Sequence, residues 1–89
     1  MNHYEITWTE QCGLYWMSTP KGFPFMMEVE APNKESAMES AILELLTVLH
    51  SMGYNAKANR NSCGITDFTV TVSDQTGHNL VTLNNFVIA

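Results

Sequence analysis

The stretch from Pro32 to Gly53, PNKESAMESAILELLTVLHSMG, decides the fold. Within it Met38, Ala41, Ile42, Leu45, Leu49 and Met52 recur at the 3.6-residue spacing of one helix face, and Ala37, Leu46 and Val48 widen that face. Asn33 precedes the periodic run as an N-cap, because its side-chain oxygen can take an N–H group that the first turn leaves free. Gly53 follows the last periodic residue, where a left-handed position stops a helix, and Tyr54 stands ready to close over Leu49 in a Schellman-type cap. Glu35 and Glu39 lie near the positive end of the helix dipole and His50 near the negative end. Such a helix must lay its apolar face on something, and the flanking sequence reads as strands.

Three runs precede the helix. Tyr4 to Thr9 alternates apolar and polar residues, and Leu14 to Ser18 and Phe23 to Glu30 read as two further strands. Gln11-Cys12-Gly13 suits a three-residue hairpin loop, and Thr19-Pro20-Lys21-Gly22 a turn. Polarity turns Phe23, Phe25, Met27 and Val29 toward the core. The register that follows pairs Trp8 with Trp16, Trp16 with Phe25 and Leu14 with Met27, placing Tyr4 and Ile6 on the same face. A one-residue slip would carry Thr7 and Thr9 inward instead.

After the helix, residues 55–64 are polar, with a short strand an option at Tyr54 to Ala58. Ile65 to Ser73 is a strand with Phe68, Val70 and Val72 on one side, and Asp74-Gln75-Thr76-Gly77 turns it into Leu80 to Ile88. Along that last run the apolar phase moves from Val81 and Leu83 to Phe86 and Ile88, which calls for a β-bulge at Asn84-Asn85. The expectation is one α+β domain over residues 1–89. It is an antiparallel sheet of four to five strands with one amphipathic helix on one face, in the order β-β-β-α-β-β.

Composition narrows the function. A hydrophobic fraction of 45% with 15% charged residues suits a folded domain rather than a disordered chain. The formal net charge is −5, carried by residues 1–50, where seven glutamates face Lys21 and Lys34; residues 51–89 balance Asp67 and Asp74 against Lys57 and Arg60. Four basic residues make no footprint for a phosphate backbone, so direct nucleic-acid binding is not expected. A basic protein surface, of the kind that itself binds nucleic acid, suits the acidic half better, and plain solubility is the alternative use of that charge. Without a leader or a long apolar run, the expected location is the cytoplasm, the host's if a phage encodes the chain, with no membrane contact.

Chemistry has few candidates. Cys12 and Cys63 form no disulfide framework, and neither they nor His3, His50 and His78 show metal-ligand or nucleophile–base spacing. The five glycines are isolated, so no phosphate loop is present. The expectation is therefore no catalytic, cofactor or metal residues, no cofactor, and no enzyme.

Contact surfaces are the remaining candidates. A helix is about 10–12 Å wide, whereas five strands span some 20–24 Å, so one sheet face stays uncovered by the helix. Tyr15, Met17 and Met26 are expected on that open face, rimmed by Thr7, Thr9, Glu5 and Glu28, with Glu30 adding acidic complementarity. Leu43 stands on the polar side of the helix near Glu39 and Glu44 and makes a second, acidic and apolar patch. Tyr15, Met17, Met26, Glu28, Glu30, Glu39, Leu43 and Glu44 are the candidate partner-binding set; scattered surface apolar residues are the plain alternative.

The hairpin, further strand and Glu-Ala-rich helix spanning Gly13 to Leu49, with Glu35-Ser36-Ala37-Met38-Glu39-Ser40-Ala41, resemble HicB-type antitoxins. Ala31-Pro32-Asn33 replaces the Gly-Asp/Glu-Thr lead of that family, and its DNA-binding segment has no counterpart. In size, acidity and layout the whole chain resembles the small inhibitors encoded by phages and mobile elements, anti-CRISPR proteins among them. The second resemblance implies a protein-binding inhibitor that blocks a host nucleoprotein complex by surface contact. The first leaves an antitoxin, or a homo-oligomeric structural protein such as a homodimer, as the alternative.

Overall fold

A computed structural model describes all residues, 1–89. It is an α+β fold with strands β1 (Asn2–Cys12), β2 (Met26–Ala31), β3 (Asn55–Arg60), β4 (Phe68–Ser73) and β5 (Asn79–Ile88), and helix α1 (Lys34–Ser51) between β2 and β3. All five strands form one antiparallel sheet in the order β2-β1-β5-β4-β3.

The helix forms where its periodicity and caps require. Asn33 is extended (φ −155°) and its side chain accepts the Ser36 N–H at 2.8 Å. At the other end Gly53 has φ 92°; its N–H bonds the His50 carbonyl and the Tyr54 N–H bonds the Leu49 carbonyl. Those two bonds are the Schellman pair. Ala37, Met38, Ala41, Ile42, Leu45 and Leu49 are buried against the sheet. Because α1 joins the two outer strands, it crosses the sheet from edge to edge and touches both, and the sheet curls around it.

Strand alternation builds the rest of the core. Ile6, Met27, Val29, Phe68, Val70, Val72, Val81, Leu83 and Phe86 face the helix and are buried. The expected bulge is present: Thr7 pairs with Val87 and Thr9 with Asn84, leaving one extra residue in β5, and Asn85 takes φ 54°. This switch keeps Val81 and Leu83 on the same face as Phe86. A second bulge lies where Val72 pairs with Val81 and Ser73 with Asn79, which accommodates Leu80.

Two expectations are corrected. The strand order is β-β-α-β-β-β, since the optional strand after the helix is β3 and residues 14–18 are not a strand. β1 instead runs on through Gln11 and Cys12, which pair with Thr82 and Val81, and its other side meets β2 directly. The pairings of Trp16 with Trp8 and Phe25, and of Leu14 with Met27, are therefore absent. Ile6 pairs with Met27 and Tyr4 with Val29.

The reason lies in the segment 13–25. Gly13 N–H bonds the Leu80 carbonyl at 2.8 Å, and a Cβ on Gly13 would stand 2.7 Å from the Asn79 oxygen, so only glycine lets the chain leave β1 at this point. The segment then folds back to pack Trp16 and Phe23 with Tyr54, at ring-centroid distances of 5.2 to 6.2 Å. Phe23 and Trp16 join the core as expected, but Leu14 and Phe25 do not; they are 96% and 76% exposed.

Candidate interaction surface

The candidate residues fall in three places rather than the two expected, with Glu44 apart from them. Met26, Glu28 and Glu30 lie together on β2, on the sheet face away from the helix. In the antiparallel register Met26 stands opposite Thr7, Glu28 opposite Glu5 and Glu30 opposite His3. Thr7 in turn pairs with Val87 on its other side, so a row Met26–Thr7–Val87 crosses three strands beside the row Glu28–Glu5. Met26 is half-buried, Val87 is 58% exposed, and Phe25, just before Met26, is exposed too. Two apolar side chains flanking Thr7, with an acidic row beside them, are what this corner presents.

The acidic rim is unusual in one respect. Glu5 and Glu28 are directly opposed, and like charges in that position are unfavourable, by up to about 1 kcal/mol. None of Glu5, Glu28 and Glu30 has a cationic side chain within salt-bridge distance, whereas Glu39 lies 3.7 Å from Arg60.

Tyr15 and Met17 are exposed, but they lie on the segment 13–25 and not on the sheet face. Tyr15 stacks on His78 of the β4–β5 turn with ring centroids 4.2 Å apart. That turn is built on Asp74, whose carboxylate accepts the Thr76 hydroxyl at 2.7 Å, the Thr76 N–H at 2.9 Å and the His78 N–H at 3.0 Å, with His78 Nδ1 at 3.2 Å. The Thr76 hydroxyl is the main reason that its pKa falls from 3.8 to about 2, helped by both backbone N–H groups and opposed by desolvation. Trp16 anchors the same segment at a cost: its indole Nε1 is buried without a hydrogen-bond partner, which typically costs about 1–3 kcal/mol.

Glu39 and Leu43 form the third place, on the outer side of α1. With Ile42, Arg60 and Phe68 they line a small groove of about 270 Å³, in which the Arg60 guanidinium sits 4.6 Å from the Phe68 ring centre. Leu43 is 67% exposed there. Glu44 is exposed on the helix but does not line this groove.

The structure adds Leu14, Phe25 and Val87 to the exposed apolar residues. Pro20, Gly22 and Pro24 within five residues are a loop composition, and weighting them over the aromatics around them would have taken Phe25 out of the core.

Cys12 and Cys63 are exposed free thiols, and no three His, Cys, Asp or Glu side chains converge as a metal centre needs. The His50 ring lines an open polar cleft with Lys57, Thr71 and Ser73, but its Nε2 bonds the Ala56 carbonyl at 3.1 Å and neither hydroxyl. No helix is long and apolar enough to cross a membrane. No family model, curated protein or solved structure matches this chain.

Proposed function

We propose that this protein is a non-enzymatic binding module that acts as an inhibitor, by covering a surface of another protein. One observation carries this reading. The β2 corner of the open sheet face sets half-buried Met26 and exposed Val87, with exposed Phe25 just before the strand, beside carboxylates that repel each other and have no cation within salt-bridge distance. Such an arrangement is poor as a solvated surface and good as half of an interface, with an apolar centre and a charged rim. The complement is an apolar patch bordered by Lys or Arg. A nucleic-acid-binding face of a nucleoprotein complex has that charge, which agrees with the layout resemblance to phage-encoded inhibitors.

The test is capture from a lysate of the cells that carry the gene. Wild-type protein retains one dominant prey, and its amount falls as salt rises. A Phe25→Ser, Met26→Ser, Val87→Ser variant with an unchanged circular dichroism spectrum loses that prey. Equal capture by both proteins would sink the proposal for this surface.

A further inference from the structure

The two outer strands differ in their backbone as well as their charge. β3 has its edge partly closed by the His50 ring at the Ala56 carbonyl. β2 pairs with β1 alone; outside that ladder no backbone or side-chain hydrogen bond involves residues 26–31. Its outer row of N–H and C=O groups is thus an unfilled template over six residues, about 20 Å long at 3.3 Å per residue.

We propose that the free edge of β2 takes an extended segment of the partner chain as a sixth strand, with Lys or Arg at the two positions beside Glu28 and Glu30. The proposal rests on the surface-contact reading and names its partner's chemistry. A strand added there lies about 4.8 Å from β2, so every second side chain falls on the open face beside Glu28, Glu30 and Met26. Two cations at alternate positions would answer Glu30 and the opposed pair Glu28 and Glu5, whose repulsion the fold itself leaves uncompensated. The third position on that face meets Met26, with Phe25 next to it, and takes an apolar side chain. The recognised pattern is basic, any, basic, any, apolar, read in the direction that the pairing selects. Because β2 already bonds on its inner side, the new bonds form without disturbing the core.

The same charges select against a second copy on this edge. Two β2 edges paired antiparallel about a two-fold axis bring Glu28 and Glu30 of one copy beside those of the other. The opposite edge offers one open-face cation, Lys57, beside the carbonyl that His50 already occupies. A partner strand of different sequence fits better than either.

The probe is a fluorescein-labelled peptide that alternates Lys with Thr and ends in Val, added to the full-length protein. The expected result is saturable binding by anisotropy, with amide shifts confined to residues 25–31. Binding weakens at least about tenfold in a Glu28→Gln, Glu30→Gln variant and stays unchanged in Glu35→Gln. A peptide of the same sequence, methylated on alternate backbone nitrogens, keeps its charge but loses at least about tenfold in affinity, because it cannot complete the ladder. Equal binding of the methylated peptide overturns strand addition, as does absence of any binding or a shift pattern centred on β3. A dimer in light scattering that Glu28→Lys abolishes also overturns it, since a second copy then holds the edge. Failure here is separable from failure of the surface reading. If the peptide fails while the Phe25, Met26 and Val87 variant still loses its prey, the surface binds but not by strand addition.

Discussion

β2 and β3 hold equivalent places in this molecule. Each is an outer strand of six residues, each adjoins one end of the helix, and each buries its inward residues against the same core. Around β3, however, some of the polar groups are used internally. His50 donates to Ala56, and Arg60 pairs with Glu39 and covers Phe68. On β2 the backbone edge is empty and Glu28 faces Glu5. One edge is partly closed by the fold and the other carries no hydrogen bond beyond its ladder. Internal polar contacts are thus divided unequally between two strands of similar length and position.

The largest test of that division lies beneath it. Leu49 is fully buried on the helix turn nearest β3, and Leu49→Ala should cost about 2–5 kcal/mol, read as a drop in the urea midpoint. Met27→Ala on β2 should fall at the lower end of that range, because Met27 is at an edge and already 8% exposed. Equal losses would mean that the two edges are equally anchored.

A second variant strikes the strand between the halves. Asn85 holds φ 54° at the bulge of β5, so Asn85→Val should cost roughly 1–2 kcal/mol while Asn85→Gly costs nothing measurable by thermal melting.

Charge removal should then give opposite signs at the two edges. Glu28→Gln relieves the Glu5 repulsion and should raise stability by about 0.2–1 kcal/mol at low salt. Glu39→Gln breaks an exposed pair and should lower it by at most about 1 kcal/mol. If both variants destabilise, β2 does not hold the repulsion that its register implies.

The smallest effect concerns neither edge but the turn that Tyr15 leans on. The carboxyl of Asp74 has its pKa lowered from 3.8 to about 2, so it contributes stability that is complete above pH 3.8 and is lost as pH falls through about 2. Asp74→Asn should flatten the stability profile between those two values and leave it parallel to wild type above them. Unchanged acid unfolding would show that the Asp74 turn is already open in the folded protein.

The legible parts of this chain are those with local causes. The helix, both of its caps and its buried face follow from residues within one or two turns of each other. The bulge at Asn85 was legible for a related reason: strict alternation in Leu80 to Ile88 breaks at one place, and a two-residue period admits one extra residue there. The candidate surface was legible in part. Met26, Glu28 and Glu30 share a strand face whatever strand lies beside them, so their grouping survived the change of partner. Tyr15 and Met17 are exposed as expected but belong elsewhere, because Leu14-Tyr15-Trp16-Met17 is apolar throughout and carries no period to tell strand from loop.

By itself, then, the sequence determined one capped amphipathic helix, the inward and outward faces of its alternating strands, and an acidic first half without a basic footprint. Only the tertiary structure decided that β1 pairs with β2 and β5, that Trp16 and Phe23 pull their segment over Tyr54, and that β2 ends the sheet with an open edge. The physical reason is range. Caps, periods and bulges are set by neighbours a few residues apart, whereas strand partnership depends on contacts between distant segments and on how one helix can reach both edges of the sheet.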